Sequence, residues 1–189
     1  MAPNFQIVQL PGKRDFRIAT TDSTFADQEM PNSIRTPEWM VKIDNIMSSS
    51  VAGFNDYVEL FGWYGESSRF TSPEISGPLF TSATLRHSDL VLVVPYGGYS
   101  AQLESNMNLG VGVGNLTIVR LGNIGQMKVT MQKIEYKTCK IQTCQQQLDR
   151  MILNVMVGSK INTVYVYGQD GQSQGQMVSQ VDYINNTAQ

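Results

Sequence analysis

Charge is scarce in this chain. Of 189 residues, 14 are Lys or Arg and 16 are Asp or Glu, so 16% are charged against about 25% in an average globular domain. With a net charge of -2 and no basic run longer than Lys13-Arg14, the chain lacks the cations that neutralise phosphates, which excludes nucleic acid as a partner. Long apolar runs are missing too. The longest, residues 90–94, falls far short of the roughly 20 residues of a membrane-spanning helix, so no membrane span is expected. The first residues, MAPNFQIVQLPGKRDF, carry no charged segment followed by an apolar one, so no secretory signal peptide is expected and synthesis in the cytoplasm is. Cysteine is limited to Cys139 and Cys144, read as reduced packing thiols. Because His87 is the single histidine, no usual Cys/His zinc set is complete, and neither a metal nor a cofactor is expected.

What is present points to an ordered, self-associating domain. Apolar residues make up 41% and are spread evenly, too many for a disordered chain. At this length a single core buries roughly 70% of the surface exposed in the unfolded state, so no cross-link is required. Surfaces of neutral amides and hydroxyls cost less to desolvate than ions, and they tolerate burial against another subunit.

The chain divides at about residue 38. Residues 1–38 are polar, are interrupted by Pro3, Pro11, Pro31 and Pro37, and show no sustained period, which predicts an extension. From Trp39 the pattern alternates, with Trp39, Val41 and Ile43 on the apolar side of a strand. A loop of small residues spans 48–56, and a second strand is expected over 57–64 with a bulge or close approach at Gly62. Residues 67–78 read as a long connection. Strand character returns over 80–94 and stops at Pro95-Tyr96-Gly97-Gly98. Ser100 is a good N-cap for one short helix carrying Leu103, Glu104 and Met107, ended by Gly110.

The last third is the most strongly β. Strands are expected over 116–121 and 127–144, with the apolar phase slipping after Gln132-Lys133 from Met127, Val129 and Met131 to Ile134 and Tyr136, the mark of a β-bulge. Met151, Leu153, Val155 and Val157 share a face, Thr163, Tyr165 and Tyr167 alternate with Val164 and Val166, and Asp170-Gly171 marks a turn. The fold class is therefore mainly β: a small barrel or sandwich of packed antiparallel sheets with one short flanking helix over residues 39–189. Several strands carry apolar residues on both sides, which one water-facing barrel does not require.

Residues 41–46, Val-Lys-Ile-Asp-Asn-Ile, the small-residue loop to Asp56, and the strand Tyr57-Val58-Glu59-Leu60-Phe61-Gly62-Trp63 resemble the opening of the haemolysin-coregulated protein (Hcp) family, tube subunits of type VI secretion systems related in fold to phage tail-tube proteins. The order that follows is similar as well: a strand at 84–94, a helix at 100–107, antiparallel strands, and an ending of 163–167 with Gln169-Asp170-Gly171. Asn45 replaces the family's usual glycine. The polar extension before Trp39 is unusual for the family and the link Gln145-Gln146-Gln147-Leu148-Asp149-Arg150 does not match its pattern, which leaves a phage tube as well as a secretion tube open.

The resemblance implies a hexameric ring that stacks into a tube inside a contractile sheath, with a spike protein and effector cargo as partners and delivery into a target cell. It also implies a non-enzymatic role. On this reading the loop with Ser49, Val51, Phe54 and Asn55 docks on the adjacent ring; the plainer alternative folds Phe54 back on its own core. Two rival classes are weighed. His87, Ser88 and Asp89 supply the types of a hydrolytic relay, but neighbours on a strand point to opposite faces. Glu59 and Glu135 supply two carboxylates at a distance that sequence does not give. A capsid or matrix shell shares the β content and polar arm. However, Lys13, Arg14, Arg17 and Arg35 are balanced in residues 1–36 by Asp15, Asp22, Asp27 and Glu29, whereas a packaging arm is often basic.

Overall fold

The computed structural model describes residues 6–8, 16–20, 38–44, 46, 54, 56–71, 83–124, 127–168 and 170–188. Among these the order is β1 (Gln6–Val8), β2 (Phe16–Thr20), β3 (Trp39–Ile43), β4 (Val58–Glu59), β5 (Gly62–Tyr64), β6 (Ser67–Thr71), β7 (Ala83–His87), β8 (Leu90–Pro95), α1 (Ser100–Leu109), β9 (Gly112–Ile124), β10 (Met127–Gln147), β11 (Arg150–Met156), β12 (Ser159–Tyr167), β13 (Ser173–Asp182) and β14 (Thr187–Ala188).

Strand β10 organises the rest. Its first part pairs with β9 on one side and β12 on the other, and its last part, Lys140 to Gln147, pairs with β11. One layer therefore runs β4-β3-β9-β10-β12-β13-β14 and the other β1-β2-β5-β8-β11-β10, all antiparallel. A strand can serve both layers only if it changes direction, and β10 does so where its register slips: at Met131, between Tyr136 and Cys139, and between Ile141 and Thr143. Extra residues bend a strand and increase its twist. Thr138, with φ 56°, sits in the second slip. The bulge expected from the slipping apolar phase is thus present, centred on Met131, whose side chain folds over Gly122. A Cβ at Gly122 would lie 2.6 Å from Met131 Cγ, which is why that strand position is glycine.

The core lies between the layers. Val41, Ile118 and Ile134 from one meet Leu92, Leu153 and Val155 from the other, all essentially without exposure. Helix α1 closes one side through buried Leu103 and half-buried Met107, four residues apart and so on one face. Gly110 ends it at φ 66°, its N–H bonding back to the carbonyls of Asn106 and Met107, as a left-handed cap requires.

Several expectations are corrected. The helix N-cap is Tyr99, not Ser100: Ser100 is buried, and its hydroxyl accepts the Gly97 N–H at 3.0 Å, while Glu104 lies beyond the first turn. The strand expected over 57–64 breaks at Leu60-Phe61, so β4 pairs with β3 and β5 with β8. That break lets the chain cross between layers. The strand expected over 80–94 breaks at Ser88-Asp89 into β7 and β8, and the connection expected over 67–78 begins as β6, paired with β7 in a separate two-stranded sheet. Met40 is buried as well as Val41 and Ile43, under a second cluster with Val119, Leu121, Phe54 and Tyr57 on the opposite face of β3. Likewise Ile152 packs with Val91, so both faces of β11 are covered. Within residues 1–38, the backbone of β2 pairs with β5 through Ala19–Trp63 and Thr20–Gly62.

Candidate assembly surface

Strands β12 and β13 form a hairpin in which β12 pairs with β10 and β13 lies outside it. Its turn is closed locally: the Gly168 N–H donates to the Gln172 carbonyl at 2.9 Å, the Gly171 N–H to the Gly168 carbonyl at 3.0 Å, and the Gln172 N–H to Asp170 Oδ1 at 3.1 Å. Gly171 has φ 78°, a conformation glycine adopts freely. Strand β12 is held to β10 by Gln132 Nε2 donating to Asn162 Oδ1 at 2.8 Å and, beside the turn, by the Tyr167 hydroxyl donating to the Thr130 carbonyl at 2.9 Å.

Strand β13 is exposed on both of its faces over eight residues. Cross-strand pairing puts Met177 opposite Val164 on one face and Val178 opposite Thr163, itself buried, on the other. Met177 is 70% exposed, Val178 53%, and Val164 and Val166 39% each. The outer edge is also unpaired for most of its length: among the described residues β13 pairs with β12, and with β14 at Val181 and Asp182 alone. An open edge presents a row of free N–H and C=O groups, and proteins normally guard such edges with lysine, proline or inward charges. This one is unguarded. Between Lys160 and Asp182 the sequence holds one charged residue, Asp170, and no proline. Burying this surface against another chain would remove apolar area from water, pair the edge backbone, and desolvate almost no ions.

Sequence reasoning missed β13. Its alternation is invisible because neither side is covered by its own chain, and the usable signal is the 21-residue stretch with a single charge. Of the loop residues singled out from sequence, Ser49, Val51 and Asn55 lie outside the described residues. Phe54 packs edge-on against Tyr57, with ring centroids 5.6 Å apart, over Met40, Val119 and Leu121. The plainer alternative for Phe54 therefore describes its packing within the subunit.

The residues weighed for other chemistry are placed as follows. The Ser88 hydroxyl accepts the Glu66 N–H at 2.9 Å and donates to the Asp89 carbonyl at 3.4 Å, while His87 Nδ1 meets the Ser88 carbonyl, so the three side chains make no relay. Glu59 on β4 and Glu135 on β10 are separated by β3 and β9, three strand spacings or on the order of 14 Å along the sheet, beyond the reach of a glycosidase pair. Lys133 binds Glu135 at 2.9 Å. Both cysteines are free thiols, and burial pushes Cys139 up to about 12 and Cys144 to about 11, which suppresses the reactive thiolate.

No protein-family model and no curated protein matches the sequence. Solved structures do match the fold. A type six secretion system protein superimposes with a TM-score of 0.69 at 14% identity, over 82% of this chain and 100% of that one. Hcp1 from Salmonella typhimurium gives 0.60 at 13% identity, over 79% and 97%. The secreted protein Hcp3 from Pseudomonas aeruginosa gives 0.52 at 12% identity, over 74% and 96%. The chain has the Hcp fold: antiparallel sheets with one short helix.

Proposed function

We propose that this chain is a tube subunit of a contractile injection apparatus of the type VI secretion kind, assembling as hexameric rings that stack into a tube. One observation carries the reading beyond fold likeness: an uncharged, unguarded strand edge on a hairpin with apolar side chains on both faces. A heterologous interface of this sort joins one surface to a different one on the next copy, and it closes into a ring when the rotation per copy permits. The exposed β13 edge serves as one half of that interface. On this reading the loop that carries Ser49, Val51, Phe54 and Asn55 docks on the next ring.

The mechanism is mechanical. Contraction of a surrounding sheath drives the tube and its spike with effector cargo into a target cell, so the subunit needs rigidity and interfaces and no catalytic side chain. It is made in the cytoplasm and leaves the cell on firing, in keeping with the description of Hcp3 as a secreted protein.

Light scattering with negative-stain microscopy of the same fraction tests the proposal. The expected result is a particle of six times the 21.0 kDa monomer mass, seen as rings or hollow stacks. A monomer without rings at high concentration would overturn it.

A further inference from the structure

The molecule's one histidine lies where three separate pieces of chain meet. His87, at the end of β7, faces Tyr136 of β10 with ring centroids 5.6 Å apart and Tyr183, just past β13, at 5.1 Å, both edge-on. Gly65 closes over the ring: a Cβ there would lie 3.0 Å from His87 Cε1. The same seam holds the small β6–β7 sheet to the C-terminal turn. Ser67 Oγ meets the Tyr183 hydroxyl at 2.7 Å, and the Leu85 N–H donates to Asn186 Oδ1 at 2.7 Å. Asp182 makes the turn a unit by accepting the N–H groups of Ile184 and Asn185, each at 2.9 Å, and the Asn185 side-chain amide at 2.8 Å.

The seam suits a neutral imidazole and no other form. Contact of Nδ1 with the Ser88 carbonyl places the ring proton on Nδ1 and leaves Nε2 as a bare lone pair. Nε2 is buried without a partner, as is the Tyr136 hydroxyl. A second proton would put a buried N–H⁺ among aromatic rings, where an uncompensated charge is costly. The charges around it do not cure this. Lys160 of β12, half-buried with its ammonium 6.0 Å from the Tyr136 ring centre, opposes the cation, while Asp89 favours it. Glu66, on the link before β6, holds the Tyr64 hydroxyl. Burial is the leading cause that lowers the affinity of His87 for a proton.

We propose that this seam is an acid-opened latch: protonation of His87 releases the β6–β7 sheet and the C-terminal turn together, uncovering the Val181–Asp182 end of β13. The sign follows from linkage. The closed form binds the His87 proton less readily than the ordinary 6.5, so the latch is at full strength above that value and weakens as pH falls below it. Asp182 titrates in a separate window. Its hydrogen bonds to Asn185 lead in holding its carboxyl below the usual 3.8, so it stays ionised while His87 charges.

Hydrogen exchange by mass spectrometry on the full chain between pH 8 and 4, corrected for intrinsic chemistry, tests the latch, with the single His87 Cε1–H signal followed by proton NMR. Below the ordinary histidine range, exchange in 83–88 and 183–188 should quicken together by up to about tenfold per pH unit, while β9–β11 stays protected. His87→Phe should flatten that dependence, and Lys160→Met should move the midpoint to higher pH, which a merely structural histidine would not do. Protection independent of pH, or an unchanged profile in a folded His87→Phe or His87→Gln variant, would overturn the proposal. The readout does not depend on assembly, so it stands or falls apart from the tube reading.

Discussion

The double-layered body and the β12–β13 hairpin are made of the same strands and are stabilised by opposite means. In the body, β11 is covered on both faces and its five central residues are buried; in the hairpin, eight consecutive residues of β13 are exposed. Both carry apolar side chains. The difference is what covers them: the body completes its core from its own chain, and the hairpin leaves its apolar residues uncovered by that chain. A residue's cost to the fold and its worth to assembly therefore separate by region.

Thiol chemistry should show the largest contrast within the body. With Cys139 raised to about 12, its thiolate population at pH 8 falls roughly a thousandfold below that of a free cysteine. An aromatic disulfide reagent should label the denatured chain rapidly and native Cys139 slowly by that order; rapid native labelling would mean the body opens often. Next comes Leu153→Ala, which empties a fully buried site and should cost about 2–5 kcal/mol in urea unfolding. A cost below about 1 kcal/mol would place the core elsewhere. Gly110→Ala forces a side chain into φ 66° and should cost about 1–2 kcal/mol, seen as a lower Tm. At the hairpin, Met177→Glu should change stability by no more than about 0.5 kcal/mol, as exposed substitutions do, while abolishing ring formation by light scattering. Equal damage to folding and assembly at Met177 would erase the distinction between the regions. The smallest effect belongs to Lys42→Met. It removes an exposed pair with Asp56 at 3.0 Å, worth about 0–1 kcal/mol and less in salt.

How much of this was legible in the sequence follows the same division. The alternation of Val41 and Ile43, the helix with Leu103 and Met107, and the phase slip resolved at Met131 were readable because the chain buries those side chains itself. The break at Leu60-Phe61 was not, because it sits inside a run of strand formers and is imposed by partners far away in sequence, whereas the polar Arg86-His87-Ser88-Asp89 did mark the break at Ser88-Asp89. β6 was hidden by serines and proline-rich surroundings that read as loop. β13, the strand at the candidate surface, was hidden for a deeper reason: periodicity reports burial within one chain, and this strand has none to report. Ser49, Val51 and Asn55 came from family resemblance, with Phe54 alone among the four describable.

Strand β3 takes both its partners from later in the chain, and one of them from much later: Trp39 pairs with Arg120, 81 residues downstream. By contrast β9, β10 and β11 follow one another through short links and can zip up as they appear. At a synthesis rate of roughly 5–20 residues per second, β3 emerges roughly 4–16 s before the strand that will cover its edge. The half of the molecule made first is therefore the half that must wait, with Val41 and Ile43 in water. Chaperone dependence during translation should fall on this N-terminal half.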